Sequence, residues 1–409
     1  MMMEHRSDWN VIFGPPGTGK TTACMSQINN LIQDGVNPQD IGYIAFTKKA
    51  ATEARVRAAN KFGFKKDDMP YFRTIHSLCF MQLGILPQQM MQRSHYRDLG
   101  DILGIDIAGN KLNEDVYNMS APVGDRLLFL DNLARISNTS LKDIYDSSVD
   151  DDISLDELIL MSEALYKYKN KFKLYDFTDL LEMFVENGTI PKLHTLIVDE
   201  AQDLSNLQWQ VVHRIASNAE YVYAAGDDDQ AIYRWAGASV EDFIKLKGNK
   251  TILDQSYRVP EEAHKLATGI LKNIKNRVVK MFKPASLRGE VHYHFSVDDI
   301  DMSKGSWLCL ARNAYLLKEY ERVCEVNGWE YERISKELDR IPRILISTIH
   351  GVKGGEADHV AIMTDMASRS YKYMERCPDD EHRVFYVALT RAKESIHIIQ
   401  PKGRIYYEI

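Results

Sequence analysis

The stretch that decides the fold reads Gly14-Pro-Pro-Gly-Thr-Gly-Lys20-Thr21. It follows a β-branched run at residues 10–13 and opens a helical pattern over residues 21–33, which is the setting that a phosphate-binding loop requires. Its glycines let backbone N–H groups approach phosphate oxygens, and the helix N-terminus adds partial positive charge. A glycine-rich turn that binds nothing is the alternative, but every fixed position of the loop is filled. The predicted nucleotide-binding residues are Gly14, Pro15, Gly17, Thr18, Gly19, Lys20, Thr21 and Thr22.

Within this loop, Lys20 can reach the β and γ phosphates, and the Thr21 hydroxyl can bind Mg²⁺. A carboxylate must complete such a metal site. The apolar run at residues 195–198 ends in Asp199 and Glu200, so both acids are expected at the carboxyl edge of a sheet, where ligands bind in open α/β folds. Asp199 is the predicted Mg²⁺ partner, and Glu200 is the predicted base that polarises the attacking water.

The composition limits the classes of protein to consider. With 409 residues, 44 % of them hydrophobic and 27 % charged, the chain predicts two to three globular domains and excludes disordered and collagenous classes. A net charge of −7 argues against a uniformly basic nucleic-acid wrapper but not against a local basic groove. Five scattered cysteines indicate neither a disulfide framework nor a zinc site. No signal peptide or membrane span is evident, so a cytoplasmic protein is expected.

Short β-branched runs alternate with helical patterns along the chain, which predicts an α/β fold with parallel sheets. The stretch at residues 88–175 is the least strand-like, so it is predicted to be a helical insertion. A second predicted helix covers residues 207–217. The predicted strands cover residues 10–13, 42–46, 195–198, 221–225, 307–311, 344–347 and 359–363.

Further motifs follow in a fixed order from Gly14 to Lys393, and together they resemble the UvrD/Rep family of superfamily 1 DNA helicases. They are Ala45-Phe46-Thr47-Lys48-Lys49-Ala50, Thr74-Ile-His76-Ser77, Asp176-Phe177-Thr-Asp179-Leu-Leu, Asp199-Glu-Ala-Gln-Asp203, Gly226-Asp-Asp-Asp-Gln230-Ala-Ile-Tyr233-Arg-Trp235, Gln255-Ser-Tyr257-Arg258, Thr348-Ile-His350-Gly-Val-Lys353-Gly-Gly-Glu356 and Val387-Ala-Leu-Thr390-Arg391-Ala-Lys393. Because the motifs extend from Gly14 to Lys393, the resemblance covers nearly the whole chain.

The resemblance implies two RecA-like P-loop domains, with ATP and Mg²⁺ in the cleft between them and single-stranded DNA lying across both. The first domain would comprise residues 1–87 and 176–255 and hold the phosphate loop and the metal site. Residues 88–175 would form a helical insertion subdomain within it. The second domain, residues 256–409, would supply the arginine fingers.

The family's nucleotide-site roles carry over onto matching positions. Arg258 and Arg391 match the arginines that contact the γ-phosphate, and an arginine finger is typically worth about 10³–10⁵ in rate. Gln230 matches the residue that senses the γ-phosphate and the attacking water. Tyr257 matches a residue that stacks on adenine, and Glu356 one that contacts the ribose.

The resemblance also implies a set of DNA-binding residues. Flat aromatic rings suit bases, and polar side chains suit the phosphate backbone. Phe46 and Trp235 match positions that stack on bases, Tyr233 lies beside Trp235, and core packing is the alternative for any one of them. The positions that match contacts near the strand's backbone are Thr47, Thr74, His76, Thr348 and His350.

Other aromatic residues are expected to have structural roles. Trp9, Trp209, Trp307 and Trp329 lie outside the motifs and are predicted to be in the core. The run at residues 166–173 mixes lysines with aromatics. We expect it to form a solvated helix face over a buried one, with DNA contact as the alternative.

Three features depart from the family pattern. Only thirteen residues precede Gly14, and none forms the glutamine motif with which relatives contact adenine, so other nucleoside triphosphates are expected to be accepted. Residues 235–238 read Trp-Ala-Gly-Ala, with alanine where many relatives have a phosphate-contacting arginine. Residues 338–343 alone separate a strand pattern at 330–334 from the next motif, so most of the accessory subdomain of larger relatives is expected to be missing.

The predicted activity is that of an ATP-dependent translocase and helicase on single-stranded and tailed duplex DNA, moving 3′ to 5′ by family resemblance and serving DNA repair, recombination or replication. An ATP-gated single-strand binding or remodelling ATPase that unwinds little is the alternative. A P-loop kinase is a third hypothesis, but it gives no role to Gln230, Arg258 and Arg391.

Overall fold

The computed structural model describes residues 8–109, 121–148, 152–333 and 342–409. The chain divides into two compact units, each of which is discontinuous in sequence. The first unit contains Met1–Ile12, Thr21–Gly226 and Arg234–Thr251, and the second contains Phe13–Lys20, Asp227–Tyr233 and Ile252–Ile409. Both units have the predicted α/β character.

A six-stranded sheet forms the framework of the first unit in the order β3-β2-β4-β5-β1-β6. β2 pairs in parallel with β3 and β4, and β4 pairs in parallel with β5. The short apolar runs form strands because both of their faces are covered, and each of the four residues of β2 is buried. The strands are β1 (Trp9–Phe13), β2 (Ile41–Ile44), β3 (Phe72–Arg73), β4 (Leu193–Val198), β5 (Ala219–Gly226) and β6 (Gly248–Ile252).

Helices alternate with the strands along this part of the chain, as the α/β pattern predicts. One core cluster on the sheet includes Cys24 and Ile28 of the first helix together with Ile41 and Tyr43 of β2. Leaving aside the predicted insertion, the helices are α1 (Lys20–Gln33), α2 (Lys48–Phe62), α3 (Ile75–Leu83), α8 (Phe177–Asn187), α9 (Asn206–Ala216) and α10 (Val240–Ile244).

The described residues of the predicted insertion at 88–175 form helices around their own core, which includes Leu99, Leu127, Leu158 and Met161. The two ends of this stretch meet, since Met91 N donates to Tyr175 O at 2.8 Å and Tyr175 N donates to Gln89 O at 2.8 Å. The helices are α4 (Arg93–Leu103), α5 (Val123–Ser137), α6 (Leu141–Ser147) and α7 (Leu155–Phe172).

The run at residues 166–173 has an exposed face and a buried one, as expected. Lys169 lies on the buried face. Its ammonium donates to Asp176 at 2.6 Å and to Asp179 at 2.7 Å. Arg135 of α5 binds the same two carboxylates. This charge pairing explains how a lysine can lie inside the protein and ties α5 and α7 to the start of α8.

The second unit is built on a six-stranded sheet in the order β7-β12-β11-β8-β10-β9, and every neighbouring pair is parallel. Alternate residues of β8 enter two different cores, because successive side chains in a strand point to opposite faces. Leu308 and Leu310 join one core, and Trp307 and Cys309 join the other. The strands are β7 (Glu290–His294), β8 (Trp307–Ala311), β9 (Glu332–Arg333), β10 (Ile344–Thr348), β11 (Ala357–Met363) and β12 (Ala392–Ile399).

Helices cover both faces of this second sheet. They are α11 (Glu261–Leu271), α12 (Lys318–Asn327), α13 (Ser368–Arg376) and α14 (Pro378–Leu389). Among the tryptophans predicted to be core residues, Trp9, Trp209 and Trp307 are buried, whereas Trp329 packs at the rim of a core.

The cysteines form no disulfide, as predicted: four are buried as free thiols, and the free thiol of Cys377 is partly exposed. Within the part of the chain that the structure describes, no helix combines the length and apolarity needed to cross a membrane.

Candidate nucleotide site and nucleic-acid residues

The phosphate loop adopts a conformation that needs glycine at two positions. Gly17 and Gly19 have φ angles of 75° and 84°, in the left-handed region that other residues avoid. The Thr18 hydroxyl donates to Pro15 O at 2.8 Å, and the Lys20 ammonium donates to Gly14 O at 2.7 Å. Lys20 therefore curls over the loop, with its charge beside the backbone that would cradle phosphate.

In the second unit, the predicted adenine and γ-phosphate residues lie against this loop. The Ser256 hydroxyl donates to Pro16 O at 2.8 Å, and Tyr257 N donates to Gly17 O at 2.9 Å. A Cβ on Gly17 would come within 2.6 Å of the Cβ of Arg258, so this approach also requires glycine. The ring of Tyr257 is 80 % exposed, which leaves a flat surface for a base.

Arg258 and Glu356, predicted to bind phosphate and ribose, form an ion pair at 3.1 Å. Lys393 pairs with the same carboxylate at 2.7 Å. Burial opposes ionisation of Glu356, but Lys393 and Arg258 outweigh it and lower the pKa of this carboxyl group. Glu356 is therefore kept as an acceptor for a hydroxyl group such as those of a ribose.

Gln230 and Arg391 are held together in the second unit. The Arg391 guanidinium donates to Gln230 Oε1 at 2.5 Å, and Gln230 Nε2 donates to Asp227 Oδ2 at 2.7 Å. The Lys353 ammonium donates to the backbone oxygen of Gln230 at 2.7 Å. Because a carboxylate only accepts and a guanidinium only donates, these two partners fix which way the Gln230 amide points.

Behind Gln230 lies a buried ion cluster that the sequence did not reveal. Ligand oxygens of Asp227, Asp228 and Asp229 all lie within 4.8 Å of one another, a grouping that could hold a metal ion. Instead, the Lys280 ammonium binds all three carboxylates, at 3.2 Å from Asp227 and 2.7 Å from Asp229. Arg277 adds two further bonds to Asp229, both at 2.7 Å.

The cluster keeps Lys280 charged. Burial disfavours the ammonium, but the carboxylates of Asp227, Asp229 and Asp228 outweigh it and raise the pKa of Lys280. Burial, together with the charges of Asp229 and Asp227, raises the pKa of Asp228 although Lys280 opposes the rise. A positive side chain therefore occupies the place where three carboxylates would otherwise attract a cation.

The predicted metal residues meet in the first unit. The Thr21 hydroxyl donates to Asp199 Oδ2 at 3.1 Å, and Glu200 N donates to Asp199 Oδ1 at 3.0 Å. Hydroxyl and carboxylate oxygens are the ligands that Mg²⁺ prefers, so these residues fit the ion. Glu200 has a φ angle of 53°, an uncommon conformation for a residue with a side chain. Such conformations cluster at functional sites.

The predicted DNA residues of the first unit follow two neighbouring strands. Phe46 and Thr47 follow β2, and Thr74 and His76 follow β3, so the four residues lie at the carboxyl edge of one sheet. Thr47 and Thr74 cap α2 and α3 by accepting from backbone N–H groups at 3.1 Å and 3.4 Å. Phe46 is 36 % exposed, so it is not packed in the core, which was the alternative to stacking on a base.

Trp235 lies in the first unit and stacks on an aromatic residue of the insertion. Its ring and that of Phe129 are nearly parallel, with centroids 6.1 Å apart. Two residues later, Gly237 has a φ angle of 90°, and a Cβ there would come within 2.8 Å of Ile136. α5 thus supports the loop that contains Trp235. Nothing in the sequence around Phe129 indicated this role.

The DNA candidates of the second unit are less accessible. Thr348 is the last residue of β10, His350 lies two residues beyond it, and both are buried. The Tyr233 hydroxyl donates to His350 O at 3.2 Å, and the Lys353 ammonium lies 5.0 Å from the centre of the Tyr233 ring. The structure therefore brings Tyr233 and His350 together: the hydroxyl binds the backbone of His350, and the two rings lie with their centroids 6.4 Å apart.

Two family models match the chain. Residues 2–251 match the UvrD/REP helicase N-terminal domain, and residues 318–403 match the UvrD-like helicase C-terminal domain. The first match alone covers more than half of the 409 residues.

Several curated proteins are similar to the chain. A probable DNA helicase of Mycoplasma pneumoniae is 26 % identical over an alignment of 466 positions, which covers 98 % of this chain and 82 % of that protein. The ATP-dependent DNA helicase PcrA of Staphylococcus aureus is 23 % identical over 71 % of this chain and 42 % of its own length. The ATP-dependent DNA helicase Rep of Buchnera aphidicola is 25 % identical over 64 % of this chain and 41 % of its own. The chain thus spans less than half the length of the latter two relatives.

Proposed function

The chain belongs to the UvrD/REP helicase family of ATP-dependent DNA helicases, and on that premise we propose that it is a translocase that moves 3′ to 5′ on single-stranded DNA and separates tailed duplexes. The observation that carries the proposal is the grouping of Phe13–Lys20 with Gln230, Arg258 and Arg391 in one compact unit. Phosphoryl transfer depends on positioning and on neutralising charge, and this grouping supplies a phosphate loop, two arginines and an oriented amide.

Each group has a distinct role in the proposed ATP hydrolysis. Lys20 and the arginines would stabilise negative charge on the phosphates, and the fixed Gln230 amide would orient the attacking water. Glu200 would accept a proton from that water. Mg²⁺, held by Thr21 and Asp199, would neutralise charge shared by the phosphates. Tyr257 and Glu356 would bind the adenine and the ribose.

DNA would be bound by residues of both units. Phe46, Trp235 and Tyr233 offer aromatic rings for stacking, which is tolerant of sequence because every base has a flat face. Thr47, Thr74 and His76 would lie near the phosphate backbone, together with the segment that contains Thr348 and His350. Nucleotide-dependent changes in these contacts would drive movement along the strand.

A second candidate function is an ATP-gated single-strand remodeller with little unwinding activity. Only ten residues connect Arg333 of β9 with Ile344 of β10, where larger family members are expected to carry an accessory subdomain. A chain without that subdomain would have less surface with which to engage duplex DNA.

A tailed-duplex assay separates the two candidates. We expect single-stranded DNA to stimulate ATP hydrolysis several-fold, and we expect a labelled strand to be displaced from a duplex with a 3′ tail. The matched substrate with a 5′ tail is the control and should remain intact. Stimulated hydrolysis without displacement would favour the remodeller, and hydrolysis unaffected by DNA would contradict both.

Replacing Trp235 by alanine is expected to weaken binding of single-stranded DNA by about 1–3 kcal/mol, the usual worth of one stacked base. Fluorescence anisotropy of a labelled oligonucleotide measures this change. The control is Tyr221→Ala, because Tyr221 is an exposed aromatic residue in the central part of β5. An unchanged affinity of Trp235→Ala would mean that Trp235 serves only to pack on Phe129.

A further inference from the structure

Tyr43 contacts the candidate metal site from within the sheet. It lies in β2 and pairs with Ile197 of β4, two residues before Asp199, so Tyr43 and Asp199 lie on the same face. Its ring is fully buried and stacks on Phe72, with the ring centroids 5.7 Å apart. The core therefore holds the ring in place and brings its hydroxyl to the end of the neighbouring strand.

The Tyr43 hydroxyl donates to Asp199 Oδ2 at 2.7 Å in a buried environment. The same oxygen accepts from the Thr21 hydroxyl at 3.1 Å, and Oδ1 accepts from Glu200 N. The carboxylate is thus restrained from three directions by elements of one unit. The bond from Tyr43 is the shorter of the two hydroxyl bonds and the only one of them that comes from a side chain locked in the core.

A phenol hydroxyl has one hydrogen to donate, and Tyr43 donates it to Asp199 Oδ2. Because Glu200 N binds the other oxygen, Oδ1, these two bonds together hold the carboxylate in one orientation. In that orientation Oδ2 also lies within hydrogen-bond distance of the Thr21 hydroxyl.

We propose that Tyr43 is a positioning residue for the metal site: its hydroxyl holds Asp199 in the orientation in which Asp199 and Thr21 together receive Mg²⁺. The proposal rests on the proposed function, because that function places Mg²⁺ with these two residues. Groups that orient a metal-binding side chain commonly change metal affinity or activity by about 10–100-fold when they are removed.

The substitution Tyr43→Phe tests this directly, since it removes one oxygen and leaves the ring that packs on Phe72. We expect the Mg²⁺ concentration that half-saturates ATP hydrolysis to rise about 10–100-fold. We expect a similar weakening of Mn²⁺ binding to the nucleotide complex, measured by electron paramagnetic resonance without turnover. Affinity for a fluorescent ATP analogue in EDTA should remain that of the unmodified chain.

The control is Tyr223→Phe. Tyr223 lies in β5 of the same sheet, and its hydroxyl accepts from Gln27 at 3.0 Å, not from a predicted metal residue. This variant should keep the Mg²⁺ and Mn²⁺ dependence of the unmodified chain, and thermal unfolding would show that both variants are folded.

The outcomes separate this proposal from the proposed function. If Tyr43→Phe lowers only the melting temperature and leaves both metal readouts unchanged, the hydroxyl is merely structural and the proposal is overturned. If the unmodified chain hydrolyses no ATP, the proposed function fails, while Mn²⁺ binding to the nucleotide complex still decides the role of Tyr43.

Discussion

The substitution Arg391→Ala is expected to lower kcat for DNA-stimulated ATP hydrolysis by about 10³–10⁵-fold, the usual effect of removing an arginine finger. The expectation follows from two roles of one side chain. Arg391 would supply positive charge near the γ-phosphate, and it also donates to Gln230 Oε1 at 2.5 Å. Its loss would remove the charge and release the amide that is expected to orient the attacking water.

Steady-state kinetics and binding of an ATP analogue separate this effect from a general loss of structure. An interaction made only in the transition state lowers kcat and kcat/KM together, so KM for ATP should change little. Arg404→Ala removes an exposed arginine of the same unit and should leave kcat unaltered. A kcat within a few-fold of the unmodified chain would exclude Arg391 from the catalytic machinery.

The substitution Lys280→Met is expected to lower the free energy of unfolding by about 3–5 kcal/mol, because removing one partner of a buried ion pair leaves uncompensated charge. Lys280 has a side chain that is 1 % exposed, and it contacts three buried carboxylates. Urea unfolding followed by circular dichroism measures the change.

Lys283→Met provides a matched control three residues away. Lys283 is also paired, with Asp254 at 2.5 Å, but its side chain is 51 % exposed, so its loss should have little effect. Adding Asp228→Asn to Lys280→Met should recover part of the lost stability, because it removes one of the buried negative charges that Lys280 no longer compensates. Equal stability of Lys280→Met and Lys283→Met would contradict the importance of the cluster.

The parts of the molecule that were predictable from the sequence depend on local pattern. The phosphate loop could be identified because its glycines are needed for backbone geometry, as Gly17 and Gly19 demonstrate with positive φ angles. The strand at residues 307–311 was predicted with its observed ends because it is apolar on both faces. The roles assigned to the site residues remain predictions, although the structure brings Thr21 to Asp199 and Gln230 to Arg391.

The features that sequence reasoning missed depend on distant neighbours. The sequence before Lys280 looks like an ordinary exposed segment, and only the fold brings Lys280 into contact with the three aspartates. The strand β12 was overlooked because its apolar residues are interrupted by Lys393, Glu394 and His397, and its pairing with β11 and β7 decides its conformation.

The discontinuous second unit also constrains the order of events during synthesis on the ribosome. Phe13–Lys20 emerges well before Ile252–Ile409, which completes the unit and follows more than 200 residues later. At roughly 5–20 residues per second, the intervening chain takes about 12–46 s to make. During that time the nascent polypeptide carries a phosphate loop without Arg258 or Arg391. We therefore expect nucleotide to contribute nothing to early folding and ATP hydrolysis to begin only after the second unit is complete.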